Sequence, residues 1–424
     1  MERKQDHPEL LGGLGPPGSG IGCESQIMKI GILKQSINPK ETLLSAVFLL
    51  LALSAVMVFS ASAFHYLIVE DSTFFLKRQM MWIGISAAIC YFTYMSDYRI
   101  LQKHYRLGLV LTAVALALVL IPGLGIRVNQ SSRWLPLGGG LRFQPSEIAK
   151  ITVLVFIAGY ICNDPRRTTN FLKGFIPAVL GVGVIWGLTL AEPDLGTSTF
   201  ILGLGIILMI IGGMRWRYFL APAAGFTPFL VLFAYLRWEM IVHRFQGLFN
   251  PEGLHQLRHS LRALGSGGVS GMGIGAGVQK LRYLPEAHTD FVFAVIGEEL
   301  GLVGTLGVIS LFLVVLWSGV TIARRAKDSF GYLLAAGIIL SLGMQAAFNI
   351  AVVTGSAPTK GIPLPLVTFG GTGLCVTMAQ IGLLLSIYRI SQTPGPAYFS
   401  GVNQAELAGA DITQRTDGGK DMEL

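Results

Sequence analysis

The chain has 424 residues, of which 52% are hydrophobic and only 13% charged, and its net charge is +8. Soluble globular domains average about 25% charged residues, so the composition excludes an ordinary water-soluble enzyme. The basic excess forms no Lys/Arg run with interleaved aromatics, which points to the basic loops of a membrane protein and away from nucleic acid.

Residues 1–40 are rich in glycine, proline and charge, and lack an apolar core followed by a small-residue cleavage site. They read as a disordered cytoplasmic leader rather than a signal peptide. From 41 to 391, apolar stretches able to cross about 30 Å of hydrocarbon recur. They fall at 42–63, 75–95, 107–122, 145–162, 174–191, 195–213, 218–236, 291–322, 331–354 and 367–387. The expected fold is an all-α polytopic membrane protein of about ten transmembrane helices. Residues 237–289 form a large extracytoplasmic loop between helices 7 and 8, and 392–424 a disordered cytoplasmic tail. The short loops carrying Arg99, Lys103 and Arg106, then Arg166, Arg167 and Lys173, then Arg324, Arg325 and Lys327, share one face with the N-terminus. The positive-inside rule makes that face, and both termini, cytoplasmic. Four cysteines (Cys23, Cys90, Cys162 and Cys375) lack metal-ligand or redox spacing, so no disulfide framework is implied.

Several polar groups interrupt this apolar background. The polar excursion 123–144 holds Arg133 and Trp134, either a phosphate or sugar contact or an interfacial anchor pair. Glu147 and Lys150 stand three apart on one helix face, as a structural salt bridge or as a substrate lysine held by its carboxylate. In Glu192-Pro193-Asp194 the proline breaks the helix, and Asp194 is placed to cap the next one. The glycine-dense 265–277 stretch lacks the Gly-Lys-Ser/Thr ending of a phosphate loop; it reads as a flexible loop, the alternative being backbone amides that cradle a diphosphate before Lys280. The stretch 284–300 (LPEAHTDFVFAVIGEEL) runs Glu286, His288 and Asp290 into an apolar helix that carries Glu298 and Glu299. Helical spacing puts Asp290, Ala294, Gly297, Glu298 and Gly301 on one broad face. Carboxylates in such a helix must face protein or a wet cavity, which makes them functional candidates. The prolines and glycines of 360–373, with Thr368 and Thr372, suit a cavity wall.

Four of these blocks, SSRWLPLGGGLRFQPSEIAK, AEPDLGTS, ALGSGGVSGMGIGAGVQKLRYLPEAHTDFVFAVIGEELGLVG and GIPLPLVTFGG, occur in the order seen in the SEDS family of FtsW and RodA proteins. The chain resembles that family over 41–391, and YLPEAHTD is closer to the FtsW division branch. Phe369 stands where the family's glycine turn usually carries tyrosine. The resemblance implies an inverting peptidoglycan glycosyltransferase that polymerises lipid II into β-1,4-linked strands outside the cytoplasmic membrane, septal for the division branch. It implies Asp290 as catalytic base and Arg133, Lys150 and Lys280 as diphosphate contacts. Glu147, Asp194 and Glu298 would position them, His288 would orient the loop, and Thr372 keeps a hydroxyl in the glycine turn. It is compatible with a divalent cation, Mg or Mn, and implies no organic cofactor. Implied partners are undecaprenyl diphosphate-linked glycan, a class B penicillin-binding transpeptidase and divisome proteins. The alternative is a lipid II flippase or other lipid-linked substrate transporter, which would place its key charges near mid-membrane.

Overall fold

The computed structural model describes residues 38–62, 74–128, 131–138, 141–236, 238, 242, 255–280, 289–358 and 361–393. A backbone inside hydrocarbon must satisfy its own N–H and C=O groups, so every expected apolar stretch becomes a helix. In chain order these are α1 (Pro39–Ser62), α2 (Phe74–Met95), a short α3 (Arg99–Lys103), α4 (Tyr105–Leu120), α5 (Pro145–Asn163), α6 (Ile176–Ala191), α7 (Leu195–Ile211) and α8 (Leu220–Leu236). After them come α9 (His255–Gly267), α10 (Val292–Arg324), α11 (Ser329–Val353) and α12 (Gly371–Gln392). Among the described residues, six helical spans are long and apolar enough to cross a membrane, α6 counting with the turn before it as Phe171–Ala191, while α4 and α7 are apolar but shorter. This is a multi-pass membrane protein.

α5 is the central helix, with 83% of its apolar window buried against 28% for α10. Pro145 at its first turn lacks only an N–H that would have had no helical partner. α4, α6, α7, α11 and α12 pack around α5, and α2 lies along α12.

The two ends of the bundle differ in chemistry. At one end the basic connectors meet: Arg99 pairs with Asp328 at 3.2 Å, and Gln102 donates to Asn163. The Tyr388 hydroxyl donates to Asn38 at 3.1 Å, so the start of α1 and the end of α12 lie together at this end. The other end carries a small antiparallel meander, β1 (Ile126–Val128), β2 (Ser131–Gly138) and β3 (Leu141–Phe143). The polar excursion 123–144 is therefore partly strand, an exception to the all-α expectation. β1 and β3 have three residues each, too few for a two-residue period, and β2–β3 pairing, with Leu135 opposite Phe143, sets the register.

Two further expectations change. The loop 237–289 contains α9, an amphipathic helix that buries Leu257, His259, Ser260 and Ala263. The 291–322 span is broken: α10 begins at Val292, after Asp290, and Gly301 inside it has φ 65° and ψ −159°. Asp290 and Gly301 are thus not on one continuous helical face.

Candidate active site

At the end opposite the basic connectors, the chain turns between helices enclose a cavity of about 290 Å³. Its walls include Arg133 and Trp134 of β2, Glu147 of α5, Asp194 before α7, Asp290 before α10 and Gln345 of α11. The non-helical segment 361–370 completes the wall. Non-helical backbone is tolerable at a membrane surface where it lines such a space. Its acidic groups, Glu147, Asp194 and Asp290, sit at or just before helix starts, where the chain enters the bundle.

The acidic groups are largely matched in charge. Glu147 and Lys150 are both buried and form an ion pair at 2.8 Å. The Lys150 ammonium also donates to Gln345 Oε1 at 3.2 Å and lies over the Phe200 ring. Lys150 stands behind Glu147 rather than on the cavity wall. Asp194 caps α7 through Thr197 N at 3.1 Å and faces Arg133 at a loose 3.6 Å. The Arg133 guanidinium donates to the Pro193 carbonyl at 2.9 Å, and among the described residues its buried Nε has no hydrogen-bond partner. The Arg133 guanidinium is thus held at the cavity wall by Pro193 and loosely by Asp194, with its side chain still partly exposed.

Asp290 is held from two directions. Its carbonyl accepts from the amide of Asn349 at 2.8 Å, and the same amide donates to the Ile362 carbonyl at 2.8 Å. Its carboxylate lies against Gly361, where an added Cβ would sit 3.0 Å from Oδ2. A side chain at 361 would push the carboxylate or the wall apart by a few tenths of an ångström. Asn349 and Gln345 carried no motif signal; what could have found them is two amides one turn apart in an otherwise apolar helix.

Thr372 opens α12 and fastens it to the meander, accepting from Gln144 N and donating to the Arg142 carbonyl, each at 3.3 Å. Phe369 packs edge-on against Phe75 at 5.5 Å between centroids and also lines the cavity. Glu192, next to the cavity, is fully buried, and among the described residues neither of its oxygens has a hydrogen-bond partner. Burial, and then the charge of Asp194, push its carboxyl up to about 8, with Arg133 pulling the other way. His288 and Glu286 lie outside the described residues.

Lys280, Glu298 and Glu299 form a second buried cluster away from the cavity lining. Lys280 pairs with Glu299 at 2.5 Å and donates to Ser60 of α1 at 2.7 Å. Glu298 accepts from the backbone N–H of Val278 and Gln279, and Glu299 from that of Gly275. The Met272 and Gly273 amides donate to the carbonyls of Glu298 and Glu299, while the 302 and 303 amides donate to the Gly268 and Val269 carbonyls. The glycine-dense stretch is thus a clasp that satisfies the backbone groups freed by the break at Gly301. These amides hold protein groups rather than a diphosphate, correcting both sequence readings of the stretch. Gly301 is required there, because a Cβ would meet Gly271 N at 2.4 Å.

No three His, Cys, Asp or Glu side chains among the described residues gather closely enough to hold a metal ion. No step is assigned to such an ion.

The Cell cycle protein family of FtsW, RodA and SpoVE matches residues 41–393. The chain belongs to this family. It is 38% identical to Stage V sporulation protein E of Bacillus subtilis (strain 168) over 362 residues, covering 84% of this chain and 98% of that one. It is 39% identical over 371 residues to the probable peptidoglycan glycosyltransferase FtsW of Nitrosomonas europaea, covering 83% and 94%. Among solved structures, a chain from a study titled "Structural coordination of polymerization and crosslinking by a peptidoglycan synthase complex" superposes with TM-score 0.67. It is 25% identical, with 82% of this chain and 98% of that chain covered. The rod shape determining protein RodA of Thermus thermophilus superposes with TM-score 0.62 at 26% identity, covering 83% and 97%.

Proposed function

We propose that this protein is a peptidoglycan glycosyltransferase that polymerises lipid II at the outer face of the cytoplasmic membrane, as a division-type member of its family. The observation that carries this reading is Asp290 on the wall of a cavity shared with Arg133, Glu147 and Asp194. The 4-hydroxyl of one lipid-linked disaccharide attacks the anomeric carbon of another. Asp290 takes the hydroxyl proton as the new C–O bond forms, and the bond to undecaprenyl diphosphate breaks with inversion. Arg133 meets the negative charge that develops on the departing diphosphate. Lys150, standing behind Glu147, sets the field and position of that carboxylate. Lys280, Glu298 and Glu299 hold the end of the outer loop rather than substrate.

Supporting an outward-facing enzyme over a flippase, the polar groups lie at helix ends rather than at mid-membrane. The basic connectors at the opposite end would be cytoplasmic. A class B penicillin-binding transpeptidase is the expected partner, since a structural neighbour belongs to a peptidoglycan synthase complex. The test is Asp290→Asn in purified protein with labelled lipid II and the transpeptidase. Polymerisation should fall by about 10²-fold, the scale of a positioned base, with lipid II binding retained. Near wild-type polymerisation by this variant would overturn the assignment.

A further inference from the structure

Asn349 lies 1% exposed on α11, and both hydrogens of its amide go to carbonyls outside any helix, those of Asp290 and Ile362. Among the described residues its Oδ1 has no hydrogen-bond partner, so the donors are what its burial serves. One turn earlier on the same helix face, Gln345 accepts from Lys150 at 3.2 Å and donates to the Pro363 carbonyl at 3.1 Å. Two amides on one rigid helix thus grip three things: the peptide of Asp290, the wall at 362–363, and the ammonium that holds Glu147. Buried polar side chains in a membrane helix are costly, and they usually bond to a neighbouring helix. These two bond to non-helical backbone on either side of the cavity.

We propose that Asn349 is a positioning residue for the glycosyl transfer, fixing Asp290 relative to the cavity wall and, through Gln345 on the same face, relative to the Glu147–Lys150 pair. The inference rests on Asp290 being the base. Only Cα and Cβ stand between the carbonyl carbon of Asp290 and its carboxylate, so clamping that peptide sets where the carboxylate can reach. The 361–370 segment comes along because the same amide holds Ile362. A reacting pair displaced by about 1 Å loses on the order of 10²-fold in rate.

The experiment compares Asn349→Leu, Asp290→Asn and the double variant, each as full-length protein with its transpeptidase and labelled lipid II. Asn349→Leu keeps the size of the side chain and removes both donors. It should lower kcat by about 10–100-fold, with KM for lipid II within about twofold. Adding it to Asp290→Asn should leave the residual rate unchanged, because there is no longer a base to place. If Asn349→Leu melts early in detergent, Asn349→Ser, which stays neutral and polar but cannot reach both carbonyls, carries the same comparison. Equal losses in the two backgrounds would show a merely structural role and overturn the inference. So would a near wild-type Asn349→Leu beside an inactive Asp290→Asn, with the base assignment left standing. A near wild-type Asp290→Asn would instead overturn the base assignment and, with it, the inference.

Discussion

Among the described residues are two buried lysine–glutamate pairs, alike in chemistry and different in setting. Glu147–Lys150 is local, three residues apart on α5, and its carboxylate opens onto the cavity. Lys280–Glu299 joins the end of the glycine clasp to the break in α10, with Ser60 of α1 as third member, and both charges are almost fully enclosed. A closed pair is committed to the fold, since both charges are used up by each other and by Ser60 and Gly275. An open pair still has one side for a ligand. Burial of a charge in a membrane helix is thus a signal of necessity, and only its surroundings say whether the necessity is structural or chemical.

Breaking the closed pair should have the largest effect. Lys280→Met strands Glu299 in a fully buried site and should destabilise the protein by about 3–5 kcal/mol, read as lost thermal stability in detergent. Lys280→Met with Glu299→Leu should recover most of that loss, because a hydrophobic replacement removes both desolvated charges. No recovery in the double variant would mean that the clasp uses Lys280 for something beyond this pair.

The open pair should respond in activity instead. Lys150→Met should reduce polymerisation by about 10²-fold, roughly 2.7 kcal/mol, with a smaller loss of thermal stability than Lys280→Met because Glu147 can be hydrated from the cavity. Exchanging the two, with Glu147→Lys and Lys150→Glu, restores the pair but not its polarity toward the cavity. Wild-type polymerisation by that exchange would reduce the open pair to a structural one like its counterpart.

A milder perturbation separates the two regions by position. Gly361→Ala places a Cβ 3.0 Å from the Asp290 carboxylate, and about tenfold slower polymerisation is expected with little change in melting, from a small displacement of the base. Gly301→Ala, which would force a Cβ against Gly271 N at 2.4 Å in left-handed backbone, should show the reverse pattern, stability lost before activity. Similar profiles for the two variants would erase the distinction between site and clasp.

The smallest effect concerns Glu192, whose carboxyl burial pushes up to about 8. An acid with a raised folded pKa favours folding while protonated and loses that advantage as pH rises between its unfolded value and about 8. Glu192→Gln stays neutral throughout, so its melting temperature should gain on the parent protein as pH rises across that window. A pH-independent difference would show that Glu192 is already neutralised by Arg133.

The sequence alone determined the helical bundle, because hydrocarbon leaves an apolar backbone no other way to pair its own N–H and C=O groups. It also marked Asp290, Glu147, Lys150, Asp194 and Arg133, since charge is rare enough in such a chain to stand out. Short strands at 126–143 and the break at Gly301 stayed hidden. A three-residue strand has almost no period to read, and a single glycine in an apolar run is compatible with an unbroken helix. What only the tertiary structure decided is which charges share a space. Glu298 and Glu299 carry the same signal as Glu147, yet the clasp at 268–280 encloses them. Asn349 carries almost no signal, yet it touches Asp290 across 59 residues of chain. Such contacts are set by how helices pack over long sequence separations, and local pattern holds no information about a partner that far away.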